Sequence, residues 1–188
     1  FPNMGEWKGF IGLIKVVFFG YALAGEKCPE PSLTSGPPNT ACLMYRNKLY
    51  CLNEGALPFE VRVRPDGSLQ PVGYERFDGV LNYPVSAHPR IDENGDLLFH
   101  SYSANTLEIE RDGPIKVGRF SLANGKVESY FVPTAEKYCS FSHSLLHTEK
   151  YMIIFDGSVH FDVNAMLDGG AFFRTKLEYN LRIGILPK

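Results

Sequence analysis

The sequence predicts an all-β chain preceded by one apolar helix, on three observations. Turn signals recur from residue 39 onward, at Arg46-Asn47-Lys48, Asp66-Gly67, Asp78-Gly79, Asn94-Gly95, Asp112-Gly113, Asn124-Gly125 and Asp156-Gly157. Short apolar or alternating runs lie between them, as in Val61-Arg62-Val63, Leu97-Leu98-Phe99 and Ile115 to Phe120. Two histidines in comparable settings, Ser86-Ala87-His88-Pro89 and Phe141-Ser142-His143-Ser144, stand 55 residues apart. That is about one β-propeller blade plus a modest insertion, since propeller repeats run roughly 40 to 50 residues.

Residues 7–24 are nearly all apolar and read as a helix. A membrane span needs about 20 apolar residues, and this run is slightly short, with Lys15 at its centre. A signal peptide ending at Ala22-Leu23-Ala24 has a thin charged start and an interrupted apolar stretch. A helix packed on the protein body and a segment lying in the membrane interface are the other two readings. Pro29, Pro31, Pro37 and Pro38 then break the helix, so residues 1–38 form a helix and connecting loop ahead of the β region at 39–188. In that region, Asn-Gly and Asp-Gly between short runs are hairpin signals, because both central positions of a type I′ turn need positive φ. The result is an antiparallel meander, which suits a propeller or a sandwich. A short connecting helix is expected at 162–169, with Asp162 as N-cap and Gly169 just past its end.

The 188 residues are 44% hydrophobic, enough to bury a core. A net charge of −2 argues against a nucleic-acid partner, which would call for clustered Lys and Arg. Cys28, Cys42, Cys51 and Cys139 lack CxxC spacing and the density of a disulfide scaffold, which favours a reducing compartment. Cys42 and Cys51 face each other if their segment is a hairpin, and a buried pair of free thiols is the expectation. A first residue of Phe, and a last one directly after a strand-like run, suggest a piece of a longer chain.

Imidazole suits Fe, Zn, Cu and Ni, so two histidines neither identify a metal nor complete its site. The surrounding words say more. Asn39-Thr40-Ala41, Glu54-Gly55-Ala56-Leu57-Pro58, Phe77-Asp78-Gly79, Ser86-Ala87-His88-Pro89, Phe141-Ser142-His143-Ser144, Thr148-Glu149-Lys150-Tyr151 and Arg182-Ile183-Gly184-Ile185-Leu186-Pro187 occur in that order. This ordered set resembles the carotenoid cleavage oxygenases, a family that includes the retinal pigment epithelium isomerohydrolase. The resemblance covers roughly residues 39 to 187.

The resemblance tips the fold toward about half of a seven-bladed β-propeller. It implies Fe(II) held by four histidines near the axis, with His88 and His143 as the first two metal ligands. Glu54 would accept a hydrogen bond from the outer N–H of a ligand imidazole, fixing its tautomer. The remaining ligands would lie beyond Lys188. No acid–base residue is needed, because iron and O2 would cut a carbon–carbon double bond of a carotenoid or apocarotenoid in a dry tunnel lined by aromatic side chains. A retinoid isomerohydrolase and a noncatalytic carotenoid- or protein-binding propeller are the alternatives. Interfacial membrane contact through 7–24 would draw substrate from lipid, in plastid or cytoplasm. The chain departs from the family pattern at Leu145, where Phe is usual, and at His147, which would share a strand face with His143. The ligand role stays with His143, which aligns with the Thr-Glu-Lys-Tyr run. His100 and His160 match no ligand and are expected to be surface or hydrogen-bonded histidines.

Overall fold

The computed structural model describes residues 33–34, 38–102, 111–134, 140–161 and 173–188. The helices expected at 7–24 and 162–169, together with Cys28 and Cys139, lie outside these residues. What is described is all β. Strands β1 (Ala41–Tyr45), β2 (Lys48–Leu52), β3 (Phe59–Val63) and β4 (Leu69–Tyr74) form one antiparallel sheet in sequential order. A second sheet repeats that plan with β5 (Arg90–Ile91), β6 (Leu97–Tyr102), β7 (Ile115–Phe120) and β8 (Val127–Val132). Beyond it, β9 (Leu146–His147) and β13 (Arg182–Pro187) flank β10 (Tyr151–Asp156). Strands β11 (Val159–Phe161) and β12 (Phe173–Thr175) pair separately.

Successive four-stranded meanders are propeller blades, and the packing between them follows from the period of two along a strand. On β6, Leu97 and Phe99 point into a core shared with Tyr45, Tyr50 and Leu52 of the first sheet. Leu98, between them, points the other way, into a core shared with Leu145, Met152 and Ile154. A strand with both faces buried reads as a continuous apolar run, which is why Leu97-Leu98-Phe99 shows no alternation. Phe77, from the loop after β4, stacks on Phe120 of β7 with centroids 4.5 Å apart. Each such buried side chain contributes roughly 1.5 to 3 kcal/mol. The chain therefore forms part of a β-propeller, two meander blades and a third sheet packed face to face.

Not every turn signal closes a hairpin. Arg46 and Asn47 do, with φ of 50° and 59° between β1 and β2. So do the turns at Gly67, Gly95 and Gly125, all at positive φ. Asp78-Gly79 instead lies in the loop from the first sheet to the second, and Asp156-Gly157 leads from β10 to β11, which belong to different sheets. Cys42 and Cys51 are direct cross-strand partners, as the hairpin reading has them, and both are free thiols. They are not a buried pair: Cys42 is exposed and Cys51 half-buried, because this face of β1 and β2 turns away from the core.

Candidate metal site

Three side chains from three separate segments meet. Glu54 sits in the turn after β2, where Asn53 Oδ1 accepts the Gly55 amide at 2.9 Å. An isolated bridge between Ala56 and Val85 then ties that turn to the approach to His88. His88 stands directly before Pro89, two residues ahead of β5. His143 lies between an isolated bridge at Ser140 to His160 and the short strand β9.

The ring nitrogens His88 Nε2 and His143 Nε2 are 3.0 Å apart. On the far side of the second ring, His143 Nδ1 is 3.0 Å from Glu54 Oε1. An ionised carboxylate can only accept, so a hydrogen bond across this contact would put the proton of a neutral His143 on Nδ1 and leave the Nε2 lone pair facing His88. Burial first, then the neighbouring His143 and Arg90, hold the His88 imidazole below its ordinary value and keep it neutral at pH 7. Two imidazole nitrogens that converge in this way are a donor set that a divalent transition metal would accept once neither carries a proton. Imidazole nitrogens each about 2.1 Å from one ion and about 90° apart would be separated by roughly 3.0 Å, so the observed spacing fits two ligands of one ion. Glu54 belongs to the same cluster: one potential donor atom from each of Glu54, His88 and His143 lies within 4.8 Å of the other two.

Phe141 lies against this centre, its ring stacked on His143 with centroids 5.6 Å apart and an angle of 25°. Phe173 meets Phe141 edge-on at 5.3 Å. An apolar wall thus adjoins the His143 ring, which is half exposed. His147 stands apart from the cluster, half-buried on β9. The expectation that it shares a strand face with His143 does not hold, because β9 begins only at Leu146, His143 lies in the irregular segment before it, and Leu145 turns into the core. His160 is buried on β11. His100 is fully buried on β6 between the segments that carry His88 and His143, its Nδ1 3.1 Å from Ser86 Oγ and its Nε2 2.6 Å from the Ser142 carbonyl. Sequence reasoning sees His100 as an ordinary histidine. The signal that it is more is its place at the end of an uninterrupted apolar run.

Among the described residues no helix is long and apolar enough to cross a membrane. A family model described as retinal pigment epithelial membrane protein matches residues 24–188. A carotenoid 9,10(9',10')-cleavage dioxygenase of Crocus sativus is 30% identical over 189 residues, covering 100% of this chain and 33% of that protein. A chloroplastic 9-cis-epoxycarotenoid dioxygenase of Arabidopsis thaliana is 27% identical, covering 100% of this chain and 32% of its own length. The chain thus spans about a third of the length of the curated relatives it matches. In fold, the crystal structure of a Pseudomonas brassicacearum lignostilbene dioxygenase superposes with a TM-score of 0.66 at 23% identity, over 81% of this chain and 31% of that one. With its family model matched from residue 24 to the last residue, this chain belongs to the retinal pigment epithelial membrane protein family, that of the carotenoid cleavage dioxygenases.

Proposed function

We propose that this chain is part of a nonhaem Fe(II) oxygenase that cleaves a carbon–carbon double bond of a carotenoid or apocarotenoid with O2, giving aldehyde or ketone products. The observation that carries the reading is the convergence of His88 Nε2 and His143 Nε2, 3.0 Å apart, with Glu54 behind His143. His88 and His143 are the metal ligands of this chain, and the family resemblance supplies iron as the metal and two further histidines outside it. His88 and His143 would hold ferrous iron, which would supply the chemistry that activates O2. The protein's own residues do the rest. Glu54 holds the proton on His143 Nδ1, which keeps Nε2 a ligand and raises its basicity. Phe141, stacked on that ligand, offers an aromatic face to a flat apolar chain and helps exclude water. No side chain has to donate or remove a proton from substrate.

Residues 7–24 lie outside the described structure, and their apolar run suits interfacial contact with a bilayer, from which such a substrate is drawn. A plastid or cytoplasmic setting agrees with the free thiols and with a chloroplastic relative.

The test uses the full-length protein loaded with Fe2+ and supplied with β-carotene or an apocarotenal under 18O2. Labelled aldehydes in proportion to bound iron are expected, and His88→Ala and His143→Ala should each lose both iron and turnover. Glu54→Gln should weaken iron binding or turnover by about 10- to 100-fold, as loss of a ligand's hydrogen-bond partner typically does. A His88→Ala protein that keeps its iron and its rate would refute the assignment.

A further inference from the structure

The two ligand-bearing segments, 86–90 and 142–145, belong to different blades, and among the described residues no backbone hydrogen bond joins them. Side chains join them instead, at both ends. Behind the histidines, His100 of β6 takes the Ser142 carbonyl at 2.6 Å and Ser86 Oγ at 3.1 Å, while its own carbonyl accepts the Ser86 amide at 2.8 Å. In front of them, Arg90 Nε donates to the Leu145 carbonyl at 3.0 Å. Ser142 directly precedes His143 and Leu145 follows it by two residues, while Ser86 and Arg90 flank His88 at two residues on either side. The separation of His88 from His143 is therefore spanned by two short polar bridges, each rooted next to a ligand.

We infer that His100, with Arg90, is a positioning latch that holds the His88 and His143 segments at metal-binding distance. The chemistry of the ring makes it suited to this. A carbonyl can only accept, so Nε2 of His100 carries the proton, and Nδ1 accepts the Ser86 hydroxyl. One neutral imidazole thereby fixes two segments with opposite polarity, at a position sealed from solvent. A phenyl ring would fill the same volume and join nothing. Arg90 does from the solvent side what His100 does from the core. Neither touches the metal or the substrate, so both act through the geometry of the ligands.

The inference rests on the metal reading above, and the experiment separates them. Co2+ replaces Fe2+ in the full-length protein, because its visible bands report ligand geometry and its titration gives affinity without turnover. Wild-type protein should bind one Co2+ with a defined spectrum; failure to do so overturns the metal reading, and this inference with it. His100→Phe should bind Co2+ about 10- to 100-fold more weakly, with altered bands, as expected when support behind a ligand is lost. Arg90→Met should lose affinity in the same direction. A role in packing alone would lower the unfolding temperature and leave the Co2+ spectrum and affinity unchanged, and that result in both variants overturns the latch. Should His100→Phe not fold, His100→Gln and His100→Asn decide. The Gln amide reaches the Nε2 position and should restore the Ser142 bridge, whereas Asn reaches only the Nδ1 position. Equal Co2+ affinity in Gln and Asn variants also overturns it.

Discussion

A histidine sealed inside a protein titrates differently from one in water. Burial pulls the His100 pKa down from 6.5 to about 4, the chief cause being loss of solvation of the charged form. The unfolded chain takes up this proton near 6.5 and the folded one only near 4, so between those values the unfolded state binds more protons. The stabilising contribution is whole above pH 6.5, falls as the pH drops toward 4, and changes no further below that. The shift corresponds to something on the order of 3 kcal/mol. Urea midpoints of the full-length protein between pH 7 and 4 should therefore fall more steeply for wild type than for His100→Phe, and parallel curves would exclude His100 as the source. His88 and His143 were legible as a pair because the words around them are specific. His100 was not, because its role comes from Ser86 and Ser142, which lie 14 and 42 residues away.

Element by element, the strands follow turn chemistry only where a partner is available. Asn94-Gly95 and Asp156-Gly157 look alike in sequence, yet only the first closes a hairpin. Both permit a tight reversal, but whether the flanking runs pair is decided by which neighbour can bury their apolar faces. Gly118 of β7 shows a second limit of local reading. It stands opposite Phe99 across the β6–β7 ladder, and an added Cβ would lie 2.6 Å from the Phe99 ring and 3.0 Å from the Tyr83 hydroxyl. Phe99 is fully buried. Gly118→Ala should cost about 1 to 3 kcal/mol, the usual penalty of overpacking, measured as a drop in the denaturation midpoint of the full-length protein. An unchanged midpoint would mean that the ring can move aside.

For the molecule as a whole, the governing fact is that a blade is buried on both faces. The sheet of β6 and β7 meets that condition, with one core on each side. The face of β13 carrying Ile183 and Ile185 does not, for both are exposed among these residues. Such a patch, next to strand edges, invites association. Residues 1–188 expressed by themselves should therefore aggregate, should hold Fe2+ weakly and should not cleave apocarotenoid. Light scattering on the chain and on an Ile183→Lys, Ile185→Lys double variant is the check, with less association expected in the variant. A monodisperse wild-type chain, or one that turns over substrate, would contradict this.

The family, the β meander and the residues to examine first were determined by the sequence alone, because they are written in short words: Glu-Gly-Ala-Leu-Pro, Ala-His-Pro, and Asn-Gly or Asp-Gly between apolar runs. Local chemistry is enough for those. Tertiary structure alone decided the 3.0 Å spacing of His88 and His143 and which of the two Glu54 stands behind, that Cys42 faces outward, and that His100 and Arg90 bridge two blades. These are contacts between residues far apart in the chain, and only the stacking of one sheet on the next brings them within reach of one another.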